Sequence, residues 1–173
     1  ISEVQKRLSV DEALIEFYIY NQSVVAFIIS KEQLEVKTVG NTGEINARIK
    51  HFRDAIVQQN QQEFVENGHA LYQQLMEPIL ELTDKKHLII VPDKELWLLN
   101  FDLLLTEDGK NQNYRELPYL LKKKVISYAN SATLLLKKNR DITDRGANCL
   151  AISYFDEETY KGDNSIVSFS NLR

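Results

Sequence analysis

Three short runs near the start of the chain are rich in apolar residues, and the third alternates apolar and polar positions. The runs cover residues 13–20, 24–29 and 34–39, and all are rich in β-branched, leucine or aromatic residues. Polar breaks at residues 21–22 and 31–33 separate them. Because strands joined by such short breaks run antiparallel, the pattern predicts a three-stranded meander.

The third run shows the alternation most clearly. Leu34, Val36 and Thr38 point to one side of the predicted strand, and Glu35 and Lys37 point to the other. The strand therefore has one apolar face and one charged face.

Two longer runs have the spacing of an α-helix. The first, on residues 44–59, has an apolar stripe made of Ile45, Ile49, Phe52 and Ile56. The second stripe is made of Phe64, Leu71, Leu75 and Leu82. Pro78 lies inside this second pattern, so we expect a kink there or a helix that restarts.

Shorter apolar runs complete the order of elements. We predict strands at residues 88–91, 125–128 and 147–155, and a helix that begins at Ser131 or Thr133. A meander followed by helix, helix, strand, strand, helix and strand is typical of an α/β fold.

Composition and charge narrow the possible functions. The chain has 173 residues, a net charge of −4 and a pI near 5.5, which argue against a general binder of nucleic acid or of anionic membranes. It contains no apolar stretch long enough to span a membrane and opens with no signal peptide. A single cysteine fits a reducing compartment, so we expect a cytoplasmic protein. Because the chain starts with Ile rather than Met, we also expect an excised or processed piece.

The residues that most often carry chemistry form no recognisable constellation. His51, His69 and His87 lack ligand spacing to one another or to Cys149, so we predict no metal site. Cys149 lies in an apolar run, where a small buried side chain is its usual role. No glycine-rich phosphate loop is present, and we expect no cofactor.

Four stretches, in this order, resemble one known family. They are "DEALIEFYIYNQSVVAFIISKEQLEV", "LYQQLMEPI", "LIIVPDKELWLLNFDLLL" and "YLLKKKVISYANSATLLL". Together they cover most of residues 11–138 and resemble the N-terminal half of a CHAT domain. This caspase-like module is found downstream of tetratricopeptide repeats in many bacterial proteins. The sequence departs from the family at Asn100 and Asn130, where the family often has proline.

The resemblance implies a caspase-like, three-layer α/β arrangement: a mixed sheet with an antiparallel N-terminal meander and flanking helices. Residues 1–10, which begin with the capping-box pattern Ser2-x-x-Gln5, would be a lead-in helix or linker from an upstream region. Residues 11–145 would be the non-catalytic half of the domain. Residues 146–173 would be the first strand and loop of the catalytic half. We expect this incomplete half to leave the strand at residues 147–155 exposed.

Candidate site residues lie mainly in the segment after Pro92. Asp93 is expected to cap the turn at the end of its strand, and both Asp93 and Ser131 are candidates for the substrate cleft or for turns. Apolar residues are expected to fold back over the sheet and seal it; they are Trp97, Leu98, Phe101, Leu103 and Leu104. We favour packing over substrate contact for this segment. Tyr72 and Pro78, from the second matching stretch, are also expected to be structural.

The resemblance places the catalytic pair of the family, a His followed by Gly and a later Cys, beyond Arg173. No residue of this chain matches either motif, so we predict that the chain alone hydrolyses no peptide bond. Two functions remain open: the supporting half of a caspase-like cysteine peptidase, or a non-catalytic interaction or signalling scaffold. The expected partners are the C-terminal half of the domain, upstream tetratricopeptide repeats and a protein substrate.

Overall fold

A computed structural model describes residues 1–110 and 112–133 of the chain. All of them belong to the first of two compact units, Ile1–Lys138. The predicted strand at residues 147–155, its exposure and the continuation of the helix after Thr133 lie outside the described residues.

The described part is an α/β structure built on a five-stranded mixed sheet in the order β3-β2-β1-β4-β5. The strands are β1 (Glu12–Tyr20), β2 (Ser23–Ser30), β3 (Leu34–Asn41), β4 (His87–Val91) and β5 (Val125–Tyr128). The helices are α1 (Ser2–Arg7), α2 (Thr42–Val57), α3 (Gln61–Leu71) and α4 (Glu77–Leu80). The first three strands are antiparallel neighbours, whereas β4 and β5 run parallel to β1. This confirms the predicted fold class and is consistent with a caspase-like arrangement.

The first hairpin turns as tightly as the sequence predicts. Asn21 and Gln22 have φ of 44° and 65°, the left-handed conformation that both central residues of a type I′ turn require. Tyr20 pairs with Ser23 across the turn, which fixes the register of β1 against β2. As a result, alternate residues of both strands face the same side of the sheet.

Helices α2 and α3 start at asparagine caps. The side chain of Asn41 accepts a hydrogen bond from the backbone N–H of Gly43, and that of Asn60 accepts one from Glu63. The predicted apolar stripe of α2 is confirmed for three of its residues, but Ile56 is exposed. Helix α1 is also confirmed, although Ser2 lies inside the helix and its side chain makes no cap, so the predicted capping box is wrong.

Pro78 acts as the sequence predicts, because the helix restarts there. A π-helical turn, Tyr72–Met76, joins α3 to α4, and Pro78 lies in the first turn of α4. The wider turn lets the N–H of Glu77 bond to the carbonyl of Tyr72 just before the proline, which has no N–H to donate. Leu75 and Met76 remain fully buried, so the irregular turn still contributes to the core.

The two faces of the sheet are covered unequally. Helices α2–α4 and the segment between β4 and β5 pack on one face and close the main core. On the other face α1 places Val4 and Leu8 over Leu14, Ile29 and Ile89. Towards β3 this second face carries exposed apolar residues, among them Tyr18, Tyr20 and Val36.

The segment after β4 only partly follows the prediction that it seals the sheet. Phe101 and Leu104 are fully buried, and Leu103 is half-buried. Trp97 and Leu98, however, are 46% and 50% exposed. They lie in a 3-10 helix, Lys94–Leu98, where residues three apart share a side. Since Leu96 and Leu99 occupy the buried side of this turn, Trp97 and Leu98 protrude.

Candidate functional site

A cleft of about 330 Å³ lies at the carboxyl ends of the parallel strands β4 and β5. Its lining residues come from the segment after β4 and from the last residue of β5; they are Pro92, Trp97, Leu98, Leu99, Asn100, Asp102 and Tyr128. In open α/β sheets, ligands bind in crevices at the carboxyl ends of the strands. The position of this cleft therefore makes it the candidate site.

A stack of aromatic rings anchors the polar wall of the cleft to the core. The Phe101 ring stacks on Phe17 of β1 with 5.5 Å between centroids. Its backbone N–H donates a 2.9 Å hydrogen bond to the Tyr128 hydroxyl. That hydroxyl donates to Oδ2 of Asp102 at 2.9 Å. Tyr128 of β5 thereby orients the Asp102 carboxylate, and the backbone N–H of the preceding residue, Phe101, orients the Tyr128 hydroxyl.

Tyr128 stays neutral under ordinary conditions. Its burial, followed by the hydrogen bond to Asp102 and the charge of that carboxylate, raises the pKa of the Tyr128 hydroxyl well above its usual range. The hydroxyl consequently keeps its proton and donates a hydrogen bond to the Asp102 carboxylate. Among the described residues that line the cleft, Asp102 is the only one with a carboxylate, and none carries a cationic side chain.

Asn100, at which the sequence departs from the resemblance, has a defined local role. Its side-chain Oδ1 accepts a 3.1 Å hydrogen bond from the backbone N–H of Asp102 and so caps the 3-10 helix Phe101–Leu103. A proline would fix the backbone but could not supply this acceptor. The asparagine also adds a second polar oxygen to the wall of the cleft, beside Asp102.

Asp93 forms a hydrogen bond to backbone, but not the one predicted. Its Oδ2 accepts from the N–H of Ile19 at 2.9 Å, and it makes no side-chain cap on its own turn. Strand β1 pairs with β4 only as far as Glu16, so Ile19 lies beyond the end of that ladder. The Asp93 carboxylate thus replaces the missing strand partner.

The other predicted site residues lie away from the cleft lining. Ser131 lies three residues after the end of β5 and is half-buried. Tyr72 is half-buried at the start of the π turn, and burial raises the pKa of its hydroxyl. Pro78 belongs to the same helical region, in the first turn of α4.

A second polar cluster lies at the opposite edge, where the parallel strands begin. His87 Nδ1 is 3.1 Å from Oε1 of Glu12, and its Nε2 is 3.0 Å from the Ser127 hydroxyl. A backbone hydrogen bond from Ser9, opposed by some desolvation and supported by His87, lowers the pKa of Glu12. The cluster joins β1, β4 and β5 side by side. The sequence placed His87 at a strand boundary but gave no sign of its two partners.

Residues 1–110 and 112–133 contain neither a metal-binding cluster nor a membrane-spanning helix. Within these ranges no three His, Cys, Asp or Glu residues are grouped to hold a metal ion. No described helix is long and apolar enough to cross a membrane. His51 is exposed and His69 is half-buried on separate helices, and Cys149 lies outside the described residues.

The comparisons with known proteins point to one family. A family model described as the CHAT domain matches residues 65–169. No curated protein sequence matches the chain. The matched region begins in α3 and includes β4, the whole lining of the cleft and β5.

Proposed function

The chain belongs to the CHAT-domain family, as the four sequence stretches predicted, and from this premise we propose that it supports a caspase-like cysteine peptidase. In this proposal the described part provides the rigid sheet and one wall of the substrate cleft. The observation that carries it is the position of the cleft at the carboxyl ends of parallel strands, with Trp97 and Leu98 exposed beside it.

In the proposed peptidase, catalysis and substrate binding depend on different parts of the protein. In a cysteine peptidase a thiolate attacks the carbonyl carbon of the scissile bond, and a histidine transfers the proton to the leaving amine. By resemblance to the family, this pair lies C-terminal to the present chain. The contribution of this chain is to hold substrate: exposed Trp97 and Leu98 offer apolar contact, and Asp102 and Asn100 offer acceptors.

The experiment compares two forms of the protein on a panel of fluorogenic peptides. The chain of residues 1–173 alone should cleave none of them. A longer form that carries the His-Gly and Cys motifs of the family should cleave, and Trp97→Ala with Leu98→Ala should raise its KM several-fold while kcat changes little. Val57→Ala, an exposed apolar residue of α2, is the matched control. Unchanged KM in the double variant would contradict the role of the cleft.

One observation favours a second function, that of a non-catalytic interaction scaffold. The second face of the sheet exposes large side chains near β3, with Tyr18 and Val36 each more than half exposed. Exposed apolar patches of this kind mark interaction surfaces. In this alternative the C-terminal half of the domain, tetratricopeptide repeats or another protein would be the partner. A longer form with both catalytic motifs but no cleavage of any protein or peptide would support the scaffold.

A further inference from the structure

We propose that the cleft at the ends of β4 and β5 binds the cationic side chain of an arginine or lysine in an extended peptide. This inference rests on the proposed function, because it names the kind of residue that the substrate presents to this wall. The charge, the apolar walls and the size of the cleft all fit such a side chain.

The cleft contains a carboxylate, that of Asp102, which can pair with a cationic side chain. Asp102 has the only carboxylate among the lining residues that the structure describes, and the Tyr128 hydroxyl donates a hydrogen bond to its Oδ2. No cation of the described residues lies within ion-pair distance of this carboxylate, although several other carboxylates are paired in this way. Oδ1 therefore remains available to a guanidinium or ammonium group, and Asn100 Oδ1 lies on the same wall.

The walls of the cleft are largely apolar, which suits the stem of a long cationic side chain. Arginine and lysine have long apolar stems below a charged head, and they favour sites with an apolar body and a charged end. Here Trp97, Leu98 and Pro92 provide the apolar body, and Asp102 provides the charged end. The exposed indole also attracts a cation to its face. A neutral aliphatic side chain would gain only the apolar contact with Trp97, Leu98 and Pro92, and neither of the two contacts that need a positive charge.

The volume of the cleft and the fixed orientation of the Asp102 carboxylate also suit a single cationic side chain. A volume of about 330 Å³ is at the lower end of the range for ligand pockets, which suits one long side chain better than a whole small molecule. Asp102 is also rigidly oriented, since the hydroxyl of Tyr128 is itself fixed by the N–H of Phe101. A carboxylate held in this way needs little reorganisation to meet a cation.

The test uses Trp97, which is the single tryptophan of the chain and lines the cleft. Its intrinsic fluorescence is titrated with N-acetyl-arginine amide and with N-acetyl-citrulline amide, which has nearly the same shape without the charge. We expect a saturable change with the arginine compound, at least about fivefold tighter than with citrulline, and weaker as salt is added. Asp102→Asn should reduce the arginine affinity to that of citrulline.

Two further variants separate binding from folding. Glu95→Gln removes one exposed negative charge from the same segment but does not line the cleft, so it should bind like the unchanged protein. Tyr128→Phe removes the hydroxyl that orients Asp102, and it should weaken arginine binding while leaving citrulline unchanged. Circular dichroism checks that each variant remains folded.

Equal affinity for the two compounds, absence of a saturable change, or retained arginine binding in Asp102→Asn would each overturn the inference. The titration needs no peptidase activity. Arginine binding combined with an unchanged KM in the Trp97 and Leu98 variants would therefore refute the proposed function alone. Altered KM without arginine preference would refute this inference alone.

Discussion

The hydrogen bond between Asp93 and Ile19 permits a quantitative test of how the sheet ends. Replacing Asp93 with alanine removes the acceptor of the Ile19 N–H, which lies beyond the last β1–β4 pair in a partly buried position. Hydrogen bonds to a charged group contribute about 1.5–3 kcal/mol, and an unsatisfied buried donor costs about 1–3 kcal/mol. Because Asp93 is only half-buried and water can partly replace it, we expect Asp93→Ala to lower the free energy of unfolding by about 1–2 kcal/mol.

Asp93→Asn separates the role of the acceptor from that of the charge. An amide oxygen can still accept from Ile19 at the same position, so we expect a loss of at most about 1 kcal/mol. Urea unfolding followed by circular dichroism gives these differences, and Glu95→Ala on the same segment is the exposed control. A loss below about 0.5 kcal/mol in Asp93→Ala, the level of ordinary surface changes, would refute the structural assignment.

Three further predictions concern packing, pH and turn geometry. Phe101→Ala should lower the free energy of unfolding by about 3–5 kcal/mol, as for a fully buried aromatic residue, whereas Trp97→Ala should cost under about 1 kcal/mol in the same urea assay; similar losses would contradict the difference in burial. The pKa of Glu12 is lowered by folding, so its contribution to stability is present above the ordinary glutamate pKa of 4.5 and should be lost as the pH falls through the lower pKa of the folded protein. Stability of Glu12→Gln should therefore fall less over this interval, and parallel curves would refute the assignment. Gln22→Gly should raise stability by about 0.5–1 kcal/mol, because glycine removes the left-handed strain at φ 65°; a lower melting temperature would contradict the turn type.

The sequence predicted the five strands because each carries a signal within its own residues. Apolar residues run almost continuously through β4, which is covered on both faces, and through β1, which is covered on both faces at its start; this pattern is visible without knowing any partner. The type I′ turn is also local, since Asn21 and Gln22 alone determine it. Features of this kind depend on neighbours in the chain, so spacing is sufficient to predict them.

The burial of Trp97 was predicted from its apolar character, and this prediction is wrong. Its large apolar surface predicted burial, but a short 3-10 helix can turn only one side to the core. The three-residue spacing of Leu96 and Leu99 was the signal that could have identified the buried side. Applied to the sequence, that spacing would have predicted that Trp97 and Leu98 face away from the core.

The polar contacts of the site could not be predicted in this way, because they join distant parts of the chain. Asp102 meets Tyr128 across 26 residues, and Asp93 meets Ile19 across 74. Strand order and register decide which of these side chains meet. A sequence pattern can suggest that Asp93 accepts a backbone hydrogen bond, as it does, but the donor is known only once β1 lies beside β4.

The charged residues of β3 bear on how a partner could reach the exposed second face. Glu35 and Lys37 lie in register with the core residues Ile28 and Ala26, yet at the edge of the sheet Glu35 is exposed and Lys37 is only half-buried. A strand added to this edge would have to cover two charges, which proteins use to discourage edge-to-edge pairing. Val36, on the opposite side of the same strand, carries no such penalty. A partner of this surface is therefore expected to approach face-on, with a helix or loop packed against the apolar side chains, rather than by extending the sheet.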